Sequence, residues 1–260
     1  MFPISDENPH FLTPWTTIGL IALNILAWTF VQGLGTEPKL GASVCTLGLV
    51  PGELLQTLAA GTRFEVGPGM LCVLGDTPNW FSPFSHMFLH GGWLHIIGNM
   101  WFLWIFGTNV EDSMGHARFL VFYLLCGLAA AALQIFSDPR SGIPMVGASG
   151  AIGGVMGAYV LLYPRVQVKM LVFLGIFVTT FSVPAVWMIG YWFVAQFIGG
   201  MGSIGAQGGV AFWAHVGGFL GGALLLTKLL HVKVNPPQSG RRPGIIHGDG
   251  FIIISPPRQY

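Results

Sequence analysis

From Phe119 to Ser137 the chain reads FLVFYLLCGLAAAALQIFS, with no acidic or basic side chain between Arg118 and Asp138. A bilayer hydrocarbon core of about 30 Å takes roughly 20 apolar residues as a helix, and a helix satisfies its own backbone N–H and C=O groups there. One such run would also suit a buried core helix, but the pattern recurs. Further apolar runs lie at Thr16 to about Gly35, Trp93 to about Val110, from near Ala148 to just before Tyr163, and about Val210 to Leu230. The stretch Val168 to Met201 is too long for one span and too short for two. Pro184 divides it, giving an interfacial or partly embedded connection and then a fifth span from Ala185 to about Gly200. Only 8% of the 260 residues are charged and 53% are hydrophobic, against about 25% charged in a soluble domain. The expected fold class is therefore all-α: a polytopic membrane protein with six transmembrane helices.

Charge sets the orientation. With a cytoplasmic N-terminus, the inside segments hold Arg118, Arg165, Lys169, Lys228, Lys233, Arg241, Arg242 and Arg258, and the outside ones hold Lys39, Arg63 and Arg140. The positive-inside bias favours both termini in the cytoplasm. This divides the chain into a short cytoplasmic N-terminus (1–15), a six-helix membrane domain (16–231) and a flexible cytoplasmic tail (232–260) whose FIIIS segment can pair as a strand. Residues 41–92 form a large extracytoplasmic first loop carrying Cys45 and Cys72, which are either bonded or, more plainly, two free thiols. No Lys or Arg precedes the first apolar run and no small-residue cleavage site follows it, so that run is expected to stay as an anchor. A net charge of +1 leaves no basic field for nucleic acid. The expected partners are the lipid bilayer and other membrane-spanning proteins, and the expected location is the plasma (inner) membrane.

Polar side chains inside spans are costly and mark function or helix pairing. Ser149 falls just inside the outer end of the fourth span, His215 shortly below the outer start of the sixth, and His95 with Asn99 on one face in the outer half of the second. Four polar groups from three helices thus share one depth. Ser149, Gly153 and Gly157 line one helical face and His215, Gly218 and Gly222 another, and small-residue faces let membrane helices approach closely. Such packing would bring a serine hydroxyl to an imidazole, the pairing a nucleophile and its general base require. No carboxylate lies beside His215 in the outer half of a span, so the expected arrangement is a dyad, with His95, Asn99 and the Ser149 N–H as donors to an oxyanion. Taken singly, each of these residues reads as packing or interhelical hydrogen bonding. His86, His90 and His95 make a weak iron box, because Gly91 and Gly92 interrupt any helix between the last two. Glu111 and Asp112 read as a solvated or Arg118-paired cap.

SHMFLHGGWLHIIGN (Ser85 to Asn99), GASGAIGGVMGAY (Gly147 to Tyr159) and AHVGGFLGG (Ala214 to Gly222) resemble the rhomboid intramembrane serine proteases, in order and in separation. The resemblance covers roughly Trp15 to Leu230. It implies a helical bundle that cleaves transmembrane substrates without a cofactor or metal, with Ser149 as nucleophile, His215 as general base, and His95 and Asn99 serving the oxyanion hole. It further implies that His90 is a structural hydrogen-bonder under the first loop and Glu111 a structural carboxylate. Two departures stand out. NWFSPFS has Trp80 but lacks the arginine of the family's Trp-Arg pair, and Gly153 takes the place of a tyrosine that in some members stacks on the catalytic histidine. The competing expectation is a catalytically silent, rhomboid-like scaffold that binds transmembrane helices. Inactive relatives typically lack the serine or the histidine, and this chain keeps both. By position and glycine content, the fifth span with Trp187, Trp192 and Phe197, together with the loop Gly202 to Gly209, is expected to form a mobile gate and cap.

Overall fold

The helix carrying GASG lies at the centre of the molecule because glycine lets three neighbours close on it. In the computed structural model, which describes residues 2–67, 70–174, 177–202, 211–229, 244–248 and 251–255, the elements follow in chain order. They are β1 (Phe2–Asp6), α1 (Trp15–Leu26, prolonged by a π-helical turn Ala27–Val31), α2 (Lys39–Leu47), α3 (Pro51–Leu54), β2 (Arg63–Gly67), β3 (Met70–Val73), α4 (Ser82–Ser85) and α5 (Trp93–Phe102). After them come α6 (Thr108–Met114), α7 (His116–Ser137), α8 (Ser149–Leu162), β4 (Gln167–Leu174), β5 (Phe177–Pro184), α9 (Ala185–Gly202), α10 (Phe212–Leu229), β6 (Gly244–Gly248) and β7 (Phe251–Ser255). A π-helical stretch, Leu103–Gly107, joins α5 to α6.

From Gly150 to Tyr159 every residue of α8 is buried, and its main partners are α10 and α7. A Cβ on Gly218 would stand 1.8 Å from the Gly150 carbonyl oxygen, and one on Gly222 would stand 2.1 Å from that of Gly154. The α8–α10 interface is therefore backbone against backbone, as small-residue faces permit. Gly157 meets the Phe219 carbonyl, whereas Gly153 looks toward the His215 carbonyl and the Trp192 ring. The tightest approach is thus made by Gly218 and Gly222 against the Gly150 and Gly154 carbonyls, while the side of α8 that faces α10 is the row of Gly153 and Gly157, and Gly150 and Gly154 turn their Cβ positions toward Ala130 and Cys126 on α7. The core around this interface includes Phe106, Phe119, Phe122, Tyr123, Ile152 and Met156.

Two of the described helices, His116–Ser137 and Ala185–Gly202, are long and apolar enough to cross a bilayer, while Trp15–Val31, Ser149–Leu162 and Phe212–Thr227 are shorter apolar helices. The fold is mostly helical but not all-α, which corrects the expected class. The connection after α8 is a hairpin of β4 and β5, and β1 adds to it antiparallel as a third strand, in the order β1-β4-β5. In β4 the buried residues Val168, Met170 and Val172 alternate with Lys169, Leu171 and Phe173. That period of two is a strand signal that averaged hydropathy conceals.

In the first loop Cys45 on α2 and Cys72 on β3 form a disulfide, so the free-thiol reading is corrected. An antiparallel bridge between Leu49 and Met145 ties this loop to the segment leading into α8. FIIIS pairs, as β7, with Gly244–Gly248. Beyond Gly202 the expected cap loop, and residues 230–243 and 256–260 of the tail, lie outside the described residues.

Candidate active site

α8 starts at Ser149, and its first helical bond runs from the Ile152 N–H to the Ala148 carbonyl at 3.0 Å. The Ser149 N–H therefore has no acceptor in its own helix and points from a partially positive helix end. Glycine is needed just upstream. Gly147 has φ +129°, its N–H donates to the His86 carbonyl at 2.8 Å, and a Cβ there would stand 2.8 Å from His95 Nε2. The turn that presents the serine is thus pressed against the His95 ring.

The interlocked glycines bring α10 close enough for His215 Nε2 to lie 2.8 Å from Ser149 Oγ. Both side chains are half-buried, so the pair is enclosed yet reachable. On the far side of the ring, His215 Nδ1 lies 2.7 Å from Gln196 Oε1 on α9. An amide oxygen only accepts, so this contact suits the tautomer with the hydrogen on Nδ1, in which Nε2 accepts from the serine hydroxyl. Trp192, one turn before Gln196, stacks obliquely on the same imidazole with ring centroids 5.7 Å apart. A Cβ on Gly153 would come within 3.5 Å of that tryptophan ring, so the space where some relatives carry a tyrosine is taken by Trp192. Sequence reading missed Gln196. Its signal is a lone amide within the fifth apolar run, one turn from Trp192, which a third partner restricted to carboxylates does not include.

His95 Nδ1 accepts from the Gly91 N–H at 3.2 Å, so in the neutral ring the hydrogen sits on Nε2, the atom facing Gly147. Asn99, one turn further along α5, is buried, and its Nδ2 has no hydrogen-bond partner among the described residues. The start of α8 thus has the Ser149 N–H and, against Gly147, the His95 Nε2–H, with the unpartnered Asn99 amide one helical turn from His95 on α5. Among the described residues no three His, Cys, Asp or Glu side chains converge as a metal site.

The support residues differ in detail from expectation. His90 is fully buried, but it is its peptide that hydrogen-bonds, to both ends of the Gln32 amide at 2.8 Å. Its ring nitrogens have no partner among the described residues, and the ring packs edge-on against His95 with centroids 5.1 Å apart. Burial, with the charge of nearby His95 second, pushes the His90 imidazole down to about 3, so it stays neutral. Glu111 is neither solvated nor paired with Arg118. It is buried and accepts from the Thr16 and Thr17 N–H groups at 2.8 and 2.7 Å, from the Thr17 hydroxyl at 2.7 Å and from His116 Nδ1 at 2.5 Å. A carboxylate thus caps the N-terminus of α1, complementing its dipole.

The family model for the Rhomboid domain matches residues 77–232, a stretch that contains His95, Asn99, Ser149, Gln196 and His215. RHOMBOID-like protein 4 of Arabidopsis thaliana is 33% identical over 199 residues, covering 76% of this chain and 42% of that protein. Rhomboid protease GluP of Bacillus subtilis (strain 168) is 33% identical over 146 residues, 56% of this chain and 26% of that protein. Rhomboid-like protein 11, chloroplastic, of Arabidopsis thaliana is 35% identical over 100 residues, 38% of this chain and 35% of that protein. The chain spans between about a quarter and two fifths of the length of these relatives. With a matched domain over more than half its length and a relative 33% identical over 76% of it, this chain belongs to the rhomboid family, whose members are integral membrane proteins.

Proposed function

We propose that the protein is an intramembrane serine endopeptidase that cleaves transmembrane segments of membrane proteins through a Ser149–His215 dyad. The observation that carries this reading is the 2.8 Å contact between Ser149 Oγ and a His215 Nε2 whose opposite nitrogen meets an acceptor. Ser149 Oγ attacks the scissile carbonyl carbon while its proton passes to Nε2. The oxyanion that forms is met by the Ser149 N–H, the Asn99 amide and the His95 Nε2–H. When the intermediate collapses, the C–N bond breaks and His215 returns the proton to the leaving amine. Water, activated by the same imidazole, then hydrolyses the acyl-enzyme.

The bundle of this reading has six spans, with α5, the π-helical stretch and α6 together forming the second, in the plasma (inner) membrane with both termini cytoplasmic. The β1–β4 pairing supports that orientation, because it keeps the N-terminal segment and the connection after α8 at one end of the molecule. The Leu49–Met145 bridge holds the first loop beside the site at the other. With 14 residues, α8 is about 21 Å long, short of the roughly 30 Å hydrocarbon core. A helix that short, anchored at its cytoplasmic end, leaves Ser149 sunk below the outer face, where water can enter. Substrates would present a locally unwound segment, since a fully hydrogen-bonded helix hides its carbonyls.

The test is cleavage of a reporter transmembrane protein by the purified full chain in detergent, compared with Ser149→Ala and His215→Ala. The reading expects cleavage by the wild type alone. Equal product from all three, or none from the wild type across a panel of reporters that it binds, favours the silent scaffold.

A further inference from the structure

A neutral imidazole serves as base at Nε2 only while its hydrogen sits on Nδ1, and in water the two tautomers interchange freely. Something must hold the hydrogen in place. Among the described residues, the hydrogen-bond partners of the His215 ring are Ser149 on Nε2 and Gln196 Oε1 on Nδ1. The ring's face is covered by Trp192, four residues before Gln196 and on the same side of α9. The nucleophile and the base therefore come from the interlocked pair α8 and α10, but what orients the base comes from a third helix.

That helix is docked differently. α8 and α10 meet backbone to backbone, whereas toward its middle α9 meets α10 through rings: Phe193 on Phe219 at 4.4 Å between centroids and Trp192 on Phe219 at 6.5 Å. Of its residues only Ala185, Ile189 and Gly200 are buried.

We propose that Gln196 is the positioning residue of the site, fixing the Nδ1–H tautomer of His215 from α9 with Trp192 clamping the ring, so that the working arrangement is Ser149–His215–Gln196. The inference rests on the proposed serine-hydrolase reading. If instead the amide nitrogen of Gln196 donated to a bare Nδ1, the hydrogen would sit on Nε2 and the serine would face a donor, leaving no base.

Two measurements test this on the full chain. The first is nitrogen NMR of histidine labelled at the ring, with the His215 signals assigned by their loss in His215→Ala. It reads the tautomer whether or not the protein cleaves anything, so failure of the hydrolase reading stays distinguishable from failure of this inference. The expected wild-type pattern is a protonated Nδ1 and a bare Nε2, giving way to mixed tautomers in Gln196→Leu. The second is saturation kinetics of a fluorophosphonate probe, in which Ser149 Oγ displaces fluoride at phosphorus and its proton passes to His215. Gln196→Leu is expected to lower the maximal labelling rate about tenfold while the half-saturating concentration changes less than about twofold. Gln196→Glu, which keeps an acceptor at the same reach, should recover most of the rate. A wild-type Nε2–H tautomer, or a Gln196→Leu protein with unchanged tautomer and labelling rate, overturns the proposal.

Discussion

At Gly147 a side chain would meet His95 Nε2 at 2.8 Å, and the backbone φ of +129° is one that L residues rarely adopt. Gly147→Ala is expected to cost about 1–2 kcal/mol of stability, read by thermal unfolding. It should also lower cleavage by more than that loss explains, because the serine turn and the His95 donor must move apart. Asn99 has an amide nitrogen not engaged by any described residue. Truncation by Asn99→Ala is expected to lower kcat by about 10²–10³ with little change in KM. Asn99→Asp should not restore it, because a carboxylate accepts where a donor is needed. The meeting of Ser149 with His215, and of His95 with the turn at Gly147, is legible in the sequence because a polar group in an apolar run stands out and its depth follows from where the run begins. Gln196 is as polar and also lies within an apolar run. It was overlooked because a third partner was sought only among acids. The bonds at His90 could not be read from sequence at all, since the peptide makes them and the ring does not.

Among the elements, the α8–α10 contact carries the site. Gly218→Leu would drive a side chain into the Gly150 carbonyl, which a Cβ alone approaches to 1.8 Å. Overpacking of this kind costs typically about 1–3 kcal/mol, and more where backbone must shift. The expected result is a lowered thermal midpoint together with loss of the Ser149–His215 pair, so that cleavage fails even at temperatures where the helices persist. Glycine spacing made the close approach legible: Gly153 and Gly157 face α10, at the His215 and Phe219 carbonyls, and what it did not show is that Gly150 and Gly154 face α7, at Ala130 and Cys126. The strands were less legible. Hydropathy summed over Val168 to Val183 looks like a membrane segment, and only the alternation at Val168, Met170 and Val172 tells strand from span. The Cys45–Cys72 bond depends on α2 meeting β3 across a loop, a juxtaposition that composition does not encode.

Across the whole molecule, β1 anchors the N-terminal segment to the far end of the bundle. Asp6 accepts there from the Tyr159 hydroxyl and, at 2.9 Å, from Asn109 Nδ2. Burial pushes its carboxyl up from 3.8 to about 6, outweighing those hydrogen bonds and the charge of His10. A raised carboxyl binds its proton more tightly in the folded chain than in the unfolded one. Its stabilisation is thus complete below about 3.8 and is lost as the pH rises through about 6. Wild type is therefore expected to gain thermal stability between pH 7 and pH 4.5 relative to Asp6→Asn, which lacks the titrating group; parallel curves for the two would remove Asp6 as the cause.

On the proposed function, packing of three glycine- and aromatic-faced helices makes one serine nucleophilic. The most direct measurement is mass spectrometry of the full-length protein after exposure to a fluorophosphonate, with the adduct mapped by residue. A single adduct on Ser149 is expected, absent in Ser149→Ala and at least about a hundredfold slower to form in His215→Ala. An adduct elsewhere only, or equal labelling of Ser149 with and without His215, would contradict it.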